Sequence, residues 1–173
     1  MRKWKVLVAF FLLCGCKPDC ELVQKESEQV VTSGFYGYTY FVPRDWTVML
    51  NGMKAVSPVD QEFGDSRALI GVVYDPEFEY PDSVEDFVRE TGELLAENSE
   101  GDLKREERRH PLGRAEKYRL TRKDENGRIS YMTHYELVSP GARCGMMCFD
   151  FSDDPDAFQD VFDRAFDTWR PES

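Results

Sequence analysis

The chain has 173 residues, of which 33 are acidic and 22 are Lys or Arg, so its formal charge at pH 7 is -11. A nucleic-acid partner requires the opposite sign of charge on the contact surface, so the composition excludes DNA or RNA as the expected partner. The length suits a leader followed by one domain of about 140 residues, which can bury its own core.

The first 16 residues have the pattern of an export signal. Three basic residues precede an unbroken apolar stretch over residues 6–13, and Gly15 stands directly before Cys16. At ~1.5 Å per residue, this stretch covers about half of the ~30 Å hydrocarbon core, which is too short for a transmembrane helix. The pattern therefore predicts a leader that directs export.

The stretch Leu13-Cys14-Gly15-Cys16 resembles the lipobox of bacterial lipoproteins, where the last cysteine is acylated and becomes the new N-terminus. The resemblance implies a signal peptide over residues 1–15 and a membrane anchor of palmitate-type acyl chains on Cys16. Several acyl chains anchor stably, at ~0.8 kcal/mol per buried CH₂. Lys17 rather than Asp follows, which in that family favours the outer over the inner membrane where a cell has both. An ordinary secreted chain cut elsewhere and an uncleaved hydrophobic start remain as alternatives.

On this hypothesis the protein faces the periplasm of a bacterial cell envelope. Loss of residues 1–15 removes three basic residues and no acid, which changes the formal charge from -11 to -14. Such a field disfavours an anionic membrane surface beyond the lipid itself and favours solubility and a basic protein partner. The alternative is that the acidic residues only form a solvated surface.

Residues 16–33 are polar, and their few apolar residues do not recur at the spacing of a helix or a strand, so we interpret them as a tether. This leaves residues 34–173 as a single α+β domain. Asn51-Gly52, between two runs of aromatic and β-branched residues, predicts a hairpin in which Val48 faces Ala55. Residues 67–75 are apolar almost throughout, which is typical of a strand covered on both faces.

Two amphipathic helices and a meander of strands complete the predicted domain. Ser83 is placed to cap a helix whose apolar stripe comprises Val84, Phe87, Val88, Leu94 and Leu95. Residues 103–151 indicate four strands, with a turn at Asn126-Gly127. Asp154 is expected to cap a final helix with Pro155 at its first position, whose broad apolar face must lie against the sheet.

These elements resemble the PsbP-like family, which includes bacterial lipoproteins of the DcrB kind. The resemblance rests on an aromatic-x-Pro-x-x-Trp start (Phe41, Pro43, Trp46), a helix opening Ser-Val-Glu-Asp-Phe, the antiparallel meander and the aromatic final helix. It implies a mainly antiparallel sheet flanked by helices, as an α/β/α sandwich, that serves for binding or assembly without catalysis. It fixes no functional residue.

A candidate site follows from the predicted strand register. A two-residue loop at Asn126-Gly127 and a five-residue loop over residues 139–143 would place Arg119, His134 and Cys148 in a row across three strands. Glu136 would share their face, whereas Tyr118 and Tyr135 would lie together on the core face. A Cys-His pair in this row is a candidate nucleophile or soft metal site. The alternative is that Cys148 is a small buried hydrophobe beside a satisfied histidine.

The remaining cysteines allow at most one disulfide. Cys144 and Cys148 lie ~13 Å apart if one strand carries both, against a ceiling of ~7 Å between bridged Cα atoms. Cys20 could therefore pair with either of them, leaving one free thiol. The cysteines and histidines lack the close ligand spacing of zinc sites, so we expect no metal and no cofactor.

The leading hypothesis is a non-catalytic, lipid-anchored envelope protein that binds a protein partner. The first alternative is an immunity protein that masks a toxin acting in the periplasm, since a compact acidic domain can fill a basic active site. The second is a thiol-dependent enzyme or redox protein that uses Cys148 with His134.

Overall fold

The computed structural model describes residues 24–61, 64–78, 83–123, 127–139 and 142–172. The strands within these ranges are β1 Glu28–Ser33, β2 Tyr38–Pro43, β3 Thr47–Met49, β4 Lys54–Val56, β5 Val59–Asp60, β6 Asp65–Ser66, β7 Ala68–Asp75, β8 Lys104–His110, β9 Gly113–Lys123, β10 Ile129–Ser139, β11 Ala142–Asp150 and β12 Arg170–Pro171. The helices are α1 Val84–Glu97 and α2 Gln159–Thr168, and a left-handed turn over Leu50–Gly52 connects β3 to β4.

The main sheet has seven strands in the order β3-β4-β7-β11-β10-β9-β8, and neighbouring strands are antiparallel. A smaller sheet has the order β1-β2-β12, and β5 pairs with β6. The charged strand β8 is an edge of the main sheet, where its alternating Arg and Glu residues oppose edge-to-edge association.

One helix lies on each face of the main sheet. On one face, the Tyr118 hydroxyl donates to the Val88 carbonyl of α1 at 3.1 Å. On the other, the ring of Phe166 in α2 stacks on Tyr135 with 4.6 Å between centroids. The predicted α+β fold class, with a mainly antiparallel sheet flanked by helices, is confirmed. We call the two surfaces of this sheet the α1 face and the α2 face.

The hydrophobic core lies between the α2 face, α2 and the small sheet. Its largest buried side chains include Tyr38, Tyr40, Ile70, Tyr135, Met146, Phe162, Phe166 and Trp169. The hydroxyls of Tyr38 and Tyr40 both donate to the Gly52 carbonyl, which joins the small sheet to the first hairpin of the main sheet.

Two local predictions are confirmed. Val48 pairs with Ala55, and the turn between them has positive φ at Asn51 (53°) and Gly52 (85°), as a type I′ turn requires. The Ser83 hydroxyl accepts from the Asp86 amide at 3.0 Å and caps α1.

The predicted boundaries of the tether and the last helix are wrong. Residues 28–33, assigned to the tether, form β1 and pair with β2. Helix α2 begins at Gln159 rather than Pro155, because the Asp154 carboxylate accepts the Asp156 amide at 2.9 Å and closes a local turn. Such a turn offers the backbone an alternative to the first helical hydrogen bonds.

Strand β7 is covered on one face rather than two. Ala68, Ile70 and Val72 are buried against the α2 side, whereas Val73 is 40 % exposed and Leu69 is partly exposed on the α1 face.

In the part of the chain that the structure describes, neither helix is long and apolar enough to cross a membrane.

Candidate functional site

The predicted row of Arg119, His134 and Cys148 does not form. The register of β9 and β10 places Thr133, not His134, opposite Arg119, and that of β10 and β11 places the same Thr133 opposite Cys148. Both registers differ from the prediction by one residue, and such a slip moves side chains to the other face of a strand. Arg119 and Cys148 lie on the α2 face, whereas His134 and Glu136 lie on the α1 face.

The same slip separates the two tyrosines predicted to share the core face. Tyr118 lies opposite His134 under α1, and Tyr135 lies opposite Lys117 under α2. Gly127 has a φ of 80°, the left-handed conformation that bulged hairpin loops use. An odd loop length therefore replaces the predicted two-residue turn.

Cys144 and Cys148 are buried thiols. Their relative exposures are 1 % and 0 %, and burial raises the pKa of each thiol well above its usual value. A thiol in such surroundings is a poor nucleophile. Cys16 and Cys20 lie outside the described residues, so acylation of Cys16 and a disulfide from Cys20 to either buried thiol stay predictions.

The α1 face carries a buried pair of glutamates with cationic partners. Glu116 and Glu136 lie directly opposite each other, and each is 1 % exposed. Arg105 and Arg114 bind Glu116 at 2.9 and 2.6 Å, and Arg143 binds Glu136 at 3.0 Å. Burial alone would raise the pKa of Glu116, but hydrogen bonds from its two arginines hold it below its usual value. Glu116 is thus paired with two arginines and Glu136 with one.

His134 belongs to this cluster rather than to a cysteine. Its Nε2 lies 2.9 Å from Glu136 Oε2, while its buried Nδ1 has no hydrogen-bond partner among the described residues. Gly145 leaves the space for this contact, since a Cβ there would lie 3.3 Å from Glu136 Oε2. His134 therefore packs against a carboxylate inside the fold.

The α2 face holds a second polar network, centred on Asp163 of α2. Its carboxylate accepts from the Tyr135 hydroxyl at 2.6 Å and from Lys117 Nζ at 2.9 Å, and it also pairs with Arg108. Gln159 Nε2 donates to the Tyr135 hydroxyl at 2.9 Å. The network joins α2 to strands β8, β9 and β10.

Charge balance in this network sets the titration of its acids. Burial alone would raise the pKa of Asp163, but the hydrogen bonds from Tyr135 and Lys117 and the charge of Arg108 hold it below its usual value. Burial raises the pKa of Asp167, and the Asp163 charge adds to that effect against the pull of Arg108. Asp163 is therefore a stabilised anion and not a proton donor near neutral pH.

A groove of about 530 Å³ lies between β2, α2 and the start of the described chain. Phe41, Pro43 and Val161 provide much of its apolar lining, and Arg164 spans it by pairing with Glu28 at 2.9 Å. Its volume falls within the range of small-molecule sites. Among the described residues, three cations and three anions line it (Lys25, Arg44, Arg164, Glu28, Asp45 and Asp160). Their balance favours neither sign of ligand.

On the α1 face, α1 packs mainly over β9 and β10 and reaches the start of β11 through Phe87, whose ring centre lies 5.0 Å from the Arg143 guanidinium. Strands β3, β4 and β7 and the rest of β11 lie beyond its main contacts. Strand pairing places these side chains on that uncovered part: Met49, Lys54, Val56, Leu69, Val73, Met147 and Phe149, with Gly71 between them. Met49 is 45 % exposed and Val73 is 40 % exposed. We call this surface the open face.

A hollow of about 360 Å³ lies at one end of the open face. Leu69, Phe149 and Phe151 form its apolar walls, and Arg122 and Lys123 are the charged residues among the described part of its lining. The rings of Phe149 and Phe151 are nearly parallel, with 6.3 Å between centroids. The described lining of this hollow is therefore cationic and aromatic, although the chain as a whole is acidic.

The acids, cations and thiols described above are engaged inside the fold. The buried acids pair with fixed cations, and the side chains of Cys148 and His134 lie on opposite faces of the sheet. Within the described ranges, no group of three His, Cys, Asp or Glu side chains is arranged to hold a metal ion.

Several proteins of known structure have a similar fold. The Ran-binding protein Mog1p of Saccharomyces cerevisiae aligns with a TM-score of 0.54 at 10 % identity, over 83 % of this chain and 95 % of Mog1p. LpqN, involved in cell envelope biogenesis of Mycobacterium tuberculosis, aligns with a TM-score of 0.57 at 16 % identity, over 84 % of this chain and 91 % of LpqN. No protein-family model and no curated protein matches the chain. At these identities the likeness establishes the shared α+β fold.

Sequence reasoning missed the Asp163 network and the open face. A signal for the network existed, because Asp163 interrupts the apolar face between Phe162 and Phe166. A buried charge in such a place calls for a partner of opposite sign. The apolar pattern of residues 67–75 could not reveal that one covering layer is missing.

Proposed function

We propose that this chain is a lipid-anchored protein of the bacterial envelope that acts as a non-catalytic binding or assembly module. The observation that carries the proposal is the open face, where apolar side chains stand 40 and 45 % exposed at Val73 and Met49. Contiguous exposed apolar surface on a folded domain marks an interaction site. The fold shared with a Ran-binding protein and with an envelope protein supports this interpretation.

The anchor is supported by the lipobox resemblance at Cys16. Seven residues lie between Cys16 and Gln24, so the eight steps from one Cα atom to the other span at most about 29 Å when fully extended. Lys25, the next residue, lines the groove between β2 and α2. Anchoring would thus hold the domain close to the membrane, where an envelope partner is within reach.

Fractionation and crosslinking in the native cell test this proposal. The full chain should sediment with membranes, and Cys16→Ser should move it to the soluble fraction without changing its unfolding midpoint. An amine-reactive crosslinker should join the anchored chain to another envelope protein. Membrane association that survives Cys16→Ser, or a chain that stays monomeric under crosslinking in its native cell, would contradict the proposal.

A further inference from the structure

The open face has room for one more helix. Seven strands about 4.8 Å apart make a sheet about 29 Å wide, whereas a helix with its side chains is about 10 Å across. On the α1 face, the described residues place one helix, α1, which packs over β9 and β10. The strands from β3 to β11 therefore offer the width of a second helix beside it.

The sequence of β7 fits a strand that is covered on both faces, although one face is open. Leu69 and Val73 point to the α1 face on either side of Gly71, and their apolar character is what a covering layer would bury. In an antiparallel strand with one solvated face, every second residue points to solvent and is normally polar. This mismatch indicates a cover that the described chain does not supply.

Gly71 gives an independent indication of a close neighbour. A Cβ added there would meet only the Met147 carbonyl oxygen, at 3.8 Å, so the fold itself does not require glycine at this position. Glycine inside a strand weakens it and often marks the close approach of a ligand or another backbone. Gly145, by contrast, is explained by its contact with Glu136.

The charges around the open face select the partner. Lys54 lies opposite Gly71, and Arg122 and Lys123 line the hollow beside Phe149, where no carboxylate of the described residues joins the lining. The Arg128 guanidinium lies 5.0 Å from the centre of the Phe151 ring at the same end. Asp75, an exposed acid at the other end of β7, lies on the same face opposite Arg143. A partner surface should therefore be apolar in its middle and anionic where it meets Lys54 and Arg122, the opposite of what the whole-chain charge favours.

We propose that the open face, centred on Gly71, docks an amphipathic helix of a partner protein that packs its apolar stripe beside α1 and directs carboxylates to Lys54 and Arg122. This inference rests on the proposed function and names the surface and the partner chemistry. Helix-in-groove recognition of this kind uses apolar anchors at helical spacing. The glycine lets the backbone of the docked helix approach the sheet.

Site-specific photocrosslinking tests the inference in the anchored full chain in its native cell. A photoreactive amino acid at Val73 should give a crosslink to a different protein, at a segment with apolar residues at helical spacing and more acids than bases. Gly71→Val should lower the yield about tenfold or more, equivalent to about 1.4 kcal/mol of binding. Its unfolding midpoint should stay at or above that of the wild type, because valine favours strands.

Two further variants keep the test decisive. Gly34→Val is the matched control, since Gly34 has no atom within 4 Å of an added Cβ and lies away from the open face, and it should leave the crosslink unchanged. Lys54→Glu should lower the crosslink yield, because its carboxylate would repel the carboxylates of the partner. This variant tests the inference even if Gly71→Val does not fold. A crosslink from Val73 to a second copy, to the same chain, to lipid or to a basic segment would overturn the inference, as would full yield in both variants.

Failure of the inference and failure of the proposed function give different results. A second probe at Val161, in the groove, reports on binding elsewhere on the domain. A protein crosslink from Val161 with none from Val73 overturns the inference and leaves the binding function in place. Absence of a protein crosslink from either position would contradict both.

Discussion

Glu116 and Glu136 are direct cross-strand partners on β9 and β10, and each is 1 % exposed. Like charges placed opposite each other destabilise a sheet, so this arrangement depends on the cations that surround it. Arg143, whose guanidinium binds Glu136 at 3.0 Å, is one of them. The α1 face is thus held together by charge neutralisation as well as by apolar packing.

Removal of one cation should expose this dependence. Arg143→Gln leaves the buried Glu136 without its guanidinium, and we expect the free energy of unfolding to fall by about 2 kcal/mol. Arg89→Gln is the control, because Arg89 pairs with exposed acids along α1 and such pairs contribute little. Denaturant unfolding measures both. Equal losses in the two variants would contradict the account of the glutamate pair.

The hydroxyl of Tyr135 should stabilise the docking of α2. Tyr135→Phe removes its 2.6 Å hydrogen bond to the Asp163 carboxylate, and we expect a loss of about 1–2 kcal/mol, since bonds to charged groups are the stronger ones. Tyr131→Phe, on the same strand, should change stability less, because no described residue bonds its hydroxyl. A smaller loss in Tyr135→Phe than in Tyr131→Phe would show that the Asp163 network does not hold α2.

His110 should make stability depend on pH below neutrality. Its Nε2 lies 3.1 Å from the Phe166 carbonyl, and its Nδ1 accepts from the Leu112 amide at 3.2 Å. Burial, with the charge of Arg170 beside it, lowers its pKa from 6.5 to about 4. The unfolded chain therefore binds one more proton than the folded chain between these values.

This contribution is fully present above pH 6.5 and is lost as the pH falls from 6.5 to about 4. The loss from this residue should be about 3 kcal/mol, at 1.36 kcal/mol per pKa unit. Denaturant unfolding at several pH values measures it, and His110→Gln should flatten the slope in that window. If the free energy of unfolding falls with the same slope in the wild type and in His110→Gln, then His110 is charged in the folded protein in this pH window.

The buried thiols should be slow to react. Cys144 and Cys148 are 1 % and 0 % exposed with raised pKa values, so a thiol reagent at neutral pH should modify them only when the domain opens. The rate should rise with denaturant to that of a free cysteine. Rapid reaction of Cys148 in the folded protein would contradict this expectation and would support the alternative of a thiol-dependent enzyme or redox protein. Cys148→Ala serves as the control that assigns the signal.

Local signals predicted the fold better than they predicted the site. The turn at Asn51-Gly52 and the cap at Ser83 each depend on a few neighbouring residues, so the sequence is enough to place them. Which side chains of β9, β10 and β11 share a face depends on whether each of the two connecting loops has an odd or an even number of residues. Both sets of alternate residues in these strands include apolar and aromatic side chains, so the sequence pattern does not decide between them. Tyr118 and Tyr135 could each occupy a core, and in the structure each lies under a different helix.

The central claim is that this domain is held to a bacterial membrane by acyl chains on Cys16. Intact mass spectrometry of the protein extracted from its native membrane tests it most directly. The claim predicts a chain that begins at Cys16 and carries the added mass of several acyl chains. A chain that retains residues 1–15, or one with an unmodified Cys16 at its start, would contradict it.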